Sequence, residues 1–400
     1  MNKVKYLLLV LLLSTTRIYA QTPDSWAQVA NFPGVARVDA ISFSIGGMGY
    51  VGLGMKDTTP YYQGFVADLW QYDPSANQWN RKATFPGIGR QFAICFVIGS
   101  KAYMGLGVSI NDLKDFWEYN AVTDVWTQKA NFGGGYREQA VGFSIGSWGY
   151  VGLGYDDSSG LNKQDFWKYD PGTDTWSQLA DFAGGARVAA VGFSIYSTGY
   201  VGFGWASNNN RYCKRDLWAY DTASDSWAAM ADFPSLGRLG SFVFCIGDKS
   251  YIGTGIDSTT RQYKEVWEYN TTTNAWIEKD SFGGAMRSDA ASFSIGNIGY
   301  AGTGDTTVNH GYVKDFWMYT PDSISTGIRS IDESSISIYP DPASDRLIIN
   351  NLAPHTPIII TDMLGQVMIR DIAETSKISI DVSSLPPGVY CVNNRKFVKE

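Results

Sequence analysis

Residues 132–154 read FGGGYREQAVGFSIGSWGYVGLG, and this stretch decides the fold because its pattern recurs in register six times. Arg137 has equivalents at Arg37, Arg90, Arg187, Arg238 and Arg287, and a Tyr follows each by 13 residues, from Tyr50 to Tyr300. A Phe precedes each Arg by 5 residues and a Trp by 11 (Trp26, Trp79, Trp126, Trp176, Trp227, Trp276). A second set (Trp70, Trp117, Trp167, Trp218, Trp267) lies 9 residues before the Trp that closes each of these repeats, and Trp317 continues it. Only the interval from Tyr to second Trp varies, at 20, 14, 17, 18, 16 and 17 residues. A period of this length is the mark of a solenoid, propeller or array.

Four strand signals fill one repeat. Residues 140–145 are small and apolar, as an innermost strand requires, and 146–149 (GSWG) is a tight hairpin turn. Residues 150–154 (YVGLG) form the second strand, whose glycines allow close backbone approach. After the variable segment come 165–169 (DFWKY), the polar turn 170–174, and a strand around Trp176. Four short strands in about 50 residues make one propeller blade.

The Arg, the glycine-bearing strand after Tyr and the paired Trp residues resemble kelch repeats. The Gly-x-Gly of this chain (Gly152/Gly154 and its equivalents) stands where that family has a Gly-Gly doublet. The resemblance implies an all-β, six-bladed kelch-type β-propeller over residues 21–320. The chain enters with a fourth-strand signature, Ser25-Trp26, and leaves after a third-strand one, Asp315-Phe316-Trp317, with Thr326 where a Trp would be due. The N-terminal strand is therefore expected to complete the last blade and to cover its open edge.

Lys3 and Lys5, the apolar run 6–13 and the sequence Ile18-Tyr19-Ala20 read as a signal peptide, 1–20, cleaved between Ala20 and Gln21. Eight apolar residues cannot cross a hydrocarbon core of about 30 Å, so no transmembrane segment is expected in the mature chain. A net charge of −7 without a basic stripe argues against nucleic acid. Cys95, Cys213, Cys245 and Cys391 lack framework spacing and are expected as free thiols. Cys95 and Cys245 sit in opposite repeats, too far apart to bond.

Residues 321–335 are rich in Ser and Thr and read as a linker. Residues 336–400 carry short alternating strands with Pro/Gly turns, the pattern of a small Ig-like β-sandwich. This tail resembles the type A C-terminal sorting domain of the bacterial type IX secretion system, with Asp341 where that family has Asn between two prolines. The resemblance implies the outer-membrane translocon as partner. It also implies a protein that crosses the periplasm and is then secreted or attached at the outer-membrane surface.

The variable loops and the connections that carry the Arg residues leave the blades at one face, where binding is expected. Trp205 and Tyr155 open two of these loops; Tyr61, Tyr62, Tyr263 and Tyr312 add aromatic surface, and Asn209, Arg211 and His310 add polar groups. Such a surface suits a glycan or a surface protein. The ring Arg37, Arg90, Arg137, Arg187, Arg238 and Arg287 is expected to be structural, because every blade demands it. Asp39, Glu138 and Asp289 lie near that ring in three repeats only and are better placed for a site-specific role.

Kelch propellers include the copper enzyme galactose oxidase and a bacterial sialic acid mutarotase. His310 and His355 are the only histidines, and the second lies in the tail, which disfavours copper; no metal, cofactor or catalytic residue is assigned. A binding module for a glycan or surface protein is the first expectation. A carbohydrate-active enzyme of mutarotase type is the alternative, since it needs only acid and base groups.

Overall fold

The computed structural model describes residues 24–57, 64–206, 212–307, 311–322, 337–350, 356–362, 367–373, 375–392 and 395–400. The signal peptide and its Ala20/Gln21 cleavage site lie outside them, as does the linker. The chain divides into two compact units, Met1–Ser323 and Ile324–Glu400. Among the described residues every regular element is a strand, and no helix is long and apolar enough to cross a membrane.

The first unit is a six-bladed propeller of four-stranded antiparallel sheets. Blade 3 is representative: Val141–Ile145, Trp148–Gly152, Phe166–Asp170 and Thr175–Gln178 run outward from the axis in sequence order. The innermost strands of the other blades are Ile41–Ile45, Ile94–Ile98, Val191–Ile195, Phe242–Ile246 and Ala291–Ile295. Each packs against its two neighbours, and the sixth meets the first, so the ring is closed. Blade 6 takes its outermost strand, Ser25–Val29, from the N-terminal end; it pairs with Phe316–Thr320 from Ser25↔Thr320 to Val29↔Phe316.

Packing explains the spacing. Side chains alternate on a strand, so Phe143 and its equivalents fill the space between blades while Ser144 and its equivalents face the channel. Gly149 has no room for a side chain because the Phe96 ring of the preceding blade lies on it. The Trp of each outer strand meets the Phe that precedes its own blade's Arg, edge to face. Phe132 and Trp176 have centroids 4.9 Å apart at 84°, a preferred aromatic geometry.

The polar turns lie on the opposite face from the variable loops and join blades together. Asp174 accepts the Tyr169 hydroxyl at 2.7 Å and the Ala130 amide of the preceding blade at 3.0 Å. The Trp176 indole donates to the Ala130 carbonyl at 3.2 Å. Two of the variable loops carry small ribbons, Tyr155–Asp156 with Leu161–Asn162 and Trp205–Ala206 with Tyr212–Cys213.

The second unit has a three-stranded sheet (Ser337–Tyr339, Arg346–Asn350, Lys377–Asp381) and a four-stranded sheet (Val367–Ala373, Thr356–Asp362, Gly388–Val392, Arg395–Lys399). Leu347, Ile349 and Ile380 of the first share one core with Ile358, Ile360, Val392 and Phe397 of the second.

Candidate functional site

Each repeat Arg is sealed inside its own blade. The Arg137 guanidinium pairs bidentately with Asp165 at 2.6 and 3.0 Å, donates to the Leu153 carbonyl at 2.8 Å, and lies over the Phe132 ring at 5.5 Å. The indole of Trp167 donates to the same Asp165 at 2.7 Å. Asp68, Asp115, Asp216 and Asp315 repeat this role for Arg37, Arg90, Arg187 and Arg287, and Glu265 serves Arg238. All six Arg side chains are buried. The ring was expected to be structural, tying neighbouring blades through backbone carbonyls. The guanidinium groups stay within their own blades, and the carbonyl that ties neighbouring blades is that of the Arg itself. Gly154 donates to the Arg187 carbonyl at 2.9 Å, and Gly304 donates to that of Arg37 at 2.8 Å. The acidic residue two positions before each second Trp was the missed signal, visible as the Asp of DFW.

Two residues beyond each Arg the backbone turns left-handed, with φ of 53° at Asp39, 55° at Phe92, 53° at Gln139, 50° at Ala189, 66° at Gly240 and 58° at Asp289. Five of the six are not glycine, a conformation that persists only where surrounding structure enforces it. Enforcement comes partly from neighbouring blades: Asp289 donates its amide to the Gly240 carbonyl at 2.8 Å, and Ala189 to that of Gln139 at 3.1 Å. These residues ring the axis and line a cavity of about 220 Å³, with Ala40, Ala93, Ala140, Ala190, Ser241 and Ala290 beneath them.

Asp39 of blade 1 and Asp289 of blade 6 meet in this mouth across the closure seam. Burial, then the charges of Asp289, Glu138 and Asp305, push the Asp39 carboxyl well above the usual range. Burial and the Asp305 charge raise Asp289 to about 6 against the pull of its bond to Ser288. Beside the mouth, burial together with Asp112 and Asp157 lifts Glu138 to about 7. Desolvation and like charge both disfavour the ionised form, so the carboxyls at the mouth give up their protons less readily than free ones.

Below the mouth, Ser42, Ser144, Ser194, Ser294, Cys95 and Cys245 line the axial channel, which has a volume of about 410 Å³. All four cysteines are free thiols, and burial pushes Cys245 up to about 12. Among the described residues no group of three or more His, Cys, Asp or Glu is placed to hold a metal ion.

Tyr155 and Trp205 are half-buried on the mouth side of their ribbons, bridged through the backbone to Glu138 and Val188. Tyr312, also half-buried, is bridged to Asp305. Tyr263 departs from the expected aromatic surface. Its ring is buried over Arg238 at 4.3 Å and its hydroxyl donates to Asp257 at 2.7 Å, so it closes the Arg cage instead. Tyr61, Tyr62, Asn209, Arg211 and His310 lie outside the described residues.

Residues 337–397 match the family model of the secretion system C-terminal sorting domain. The chain is 38% identical over 63 residues to N-acetylneuraminate epimerase of Yersinia enterocolitica and 30% identical over 73 residues to that of Pasteurella multocida. These stretches are 15% and 18% of this chain, and they span only 16% and 19% of those relatives. The solved structure of YjhT superposes with a TM-score of 0.61 at 16% identity, covering 73% of this chain and 97% of that one. This likeness is one of fold.

Proposed function

We propose that the protein is exported by a type IX system and interconverts the anomers of a reducing sugar held in the axial mouth. The observation that carries this reading is the meeting of Asp39 and Asp289 in one desolvated cavity. Two carboxyls that burial and like charge keep from ionising together leave one as an acid while the other is a base.

The protonated carboxyl donates to the ring oxygen of the sugar while its partner takes the proton of the anomeric hydroxyl. The bond from anomeric carbon to ring oxygen breaks, leaving the open-chain carbonyl. Rotation about the adjacent carbon–carbon bond and reclosure on the other face return both protons. Such a step needs acid and base within reach of adjacent oxygens and no further reagent. The cavity, at about 220 Å³, lies below the roughly 300–1,000 Å³ of drug-sized pockets and fits one sugar ring. The likeness to N-acetylneuraminate epimerases supports sugar chemistry, and the sorting domain supports delivery to the cell surface or beyond.

Anomer exchange measured by NMR on a panel of reducing sugars tests this reading. The full chain should exceed the uncatalysed rate for at least one sugar, and the double variant Asp39→Asn/Asp289→Asn should return to it while keeping its melting transition. Uncatalysed rates throughout the panel would overturn it. Saturable binding without exchange would favour a pure binding module, a reading to which the half-buried Tyr155 and Trp205 beside the mouth lend support.

A further inference from the structure

We infer that a cleft at the outer edge of blade 3, apart from the axial mouth, is a second binding site and takes an uncharged, hydroxyl-rich sugar unit. The inference goes beyond the reading of the mouth and does not depend on it.

The cleft has a volume of about 510 Å³, within the roughly 300–1,000 Å³ of small-molecule sites. One wall is the returning arm of the blade 3 ribbon, from Leu161 to Gln164. The other is the end of the outermost strand, at Gln178, with Asp181 and Ala186 of the connection to blade 4. Its opening has a local cause. At two other junctions the residue before the Arg is glycine. A Cβ there would stand 3.0 Å from the Val66 carbonyl oxygen at Gly89, and 2.1 Å from that of Cys213 at Gly237. Those loops lie directly on the connection. Ala186 holds the equivalent position beside blade 3, and its methyl group occupies that space, so segment 161–164 stands off.

The lining suits hydroxyl groups. Asn162 is held by the ribbon opposite Tyr155, and its Nδ2 is buried without a hydrogen-bond partner. An orphaned donor is costly, and the terminal amide torsion is soft. A hydroxyl seated against Asn162 therefore receives a bond that the protein alone leaves unmade. Across the cleft Asp181 accepts from Gln164 Nε2 at 3.2 Å, filling one of about four acceptor positions on a carboxylate. In blade 4 the same two positions hold Arg215 and Asp232, an ion pair at 3.5 Å; in blade 3 a neutral amide replaces that cation. Gln178, exposed on the last strand, adds a donor and an acceptor. Leu161, 56% exposed, supplies apolar surface for the C–H face of a pyranose ring. Both cations in the lining are paired, Arg137 with Asp165 at 2.6 Å and Lys163 with Asp156 at 3.0 Å, so nothing there calls for an anion. Amides and a carboxylate together match groups that give and accept at once, and a sugar unit presents such groups on adjacent carbons.

Calorimetric titration of the full chain with lactose, maltose, cellobiose and N,N′-diacetylchitobiose tests the inference. At least one should bind saturably. Gln178→Ala/Asp181→Ala, at two exposed positions, should keep the melting transition and weaken that binding about tenfold or more. Ala186→Phe, which fills the cleft, should abolish it, while Asp39→Asn/Asp289→Asn in the mouth should leave it within about twofold. No binding of any of the four, or binding unmoved by the Gln178/Asp181 variant, overturns the inference. Loss in the mouth variant alone also overturns it, because the sugar then sits at the axis. Disaccharide binding of the expected kind in a chain that exchanges no anomers removes the mouth reading and leaves the cleft standing.

Discussion

Tyr319 Oη donates to the Asp24 carboxylate at 2.5 Å, joining the last strand of the propeller to the residue that precedes its first. The same carboxylate accepts the Asp280 amide at 3.2 Å, and the Trp26 indole returns a bond to the Asp280 carbonyl at 3.2 Å. Tyr72 with Asn77, Tyr119 with Asp124, and Tyr220 with Asp225 make the equivalent bond inside continuous chain. The seam is therefore built with the same contacts as every other joint.

Deleting residues 21–32 removes a whole outer strand, exposes the edge of Phe316–Thr320, and takes Trp26 from the last core cluster. The expected result is loss of the cooperative melting transition, read by circular dichroism. Asp24→Ala, which removes only the latch, should cost about 1–3 kcal/mol. A deletion variant that melts like the intact protein would show that the strand does not close the ring energetically.

Asp216→Ala leaves the buried Arg187 guanidinium without its bidentate partner, whose contacts are 2.6 and 2.9 Å. An uncompensated buried charge should destabilise the domain by about 3–5 kcal/mol in denaturant unfolding. The exposed turn residue Asp221 serves as the control, because its replacement by Ala removes only local turn bonds to Ala223 and Ser224. Equal losses at the two positions would contradict the account of the Arg cage.

The two classes of carboxylate push stability in opposite directions with pH. In Asp68, Asp115, Asp216 and Asp315, burial favours the neutral form but the paired Arg outweighs it and lowers the net value. Their contribution is present above the unfolded value of about 3.9 and lost as pH falls through the folded one. Asp39 and Asp289 are raised, so the folded chain holds protons that the unfolded chain has released, and stability declines as pH rises from about 4 through 6. Asp39→Asn/Asp289→Asn should thus be more stable than the parent at pH 8, by about 1–3 kcal/mol, and match it near pH 4. A pH-independent difference in urea unfolding would refute the assignment.

Gly154 and Gly146 both have positive φ, at 85° and 58°, but differ in their surroundings. A Cβ on Gly154 would collide with the Glu138 carbonyl, whereas one on Gly146 meets nothing within 4 Å. Gly146→Ala should cost about 1–2 kcal/mol, the left-handed penalty alone. Gly154→Ala should cost roughly 3 kcal/mol or more, because overpacking is added and the latch to Arg187 is displaced. Thermal unfolding of the two variants measures the gap, and equal shifts would argue against the close approach.

Much of the architecture was legible from spacing. A constant Arg-to-Tyr interval means a constant hairpin, and a variable interval means a loop. The displaced Trp26 and absent final Trp pointed to a ring sealed by its own N-terminal end. Local rules suffice there, because each blade repeats one set of alternating strands and tight turns. The DFW aspartate was legible too, but its partner was not, since strand alternation alone does not say which buried group turns toward the Arg.

Sequence alone determined the number of blades, the face that carries variation, and the small tail domain with its sorting signature. Each depends on short-range geometry repeated in register. Tertiary structure decided what the site is made of. Asp39 and Asp289 belong to the first and last Arg segments and share a cavity only because six blades curve through a full turn. Their chemistry follows from desolvation and mutual charge, which depend on where the closed ring places them. Tyr263 teaches the same lesson in reverse. Its loop position promised exposure, but the packing of Arg238 and Asp257 around it made it part of the interior.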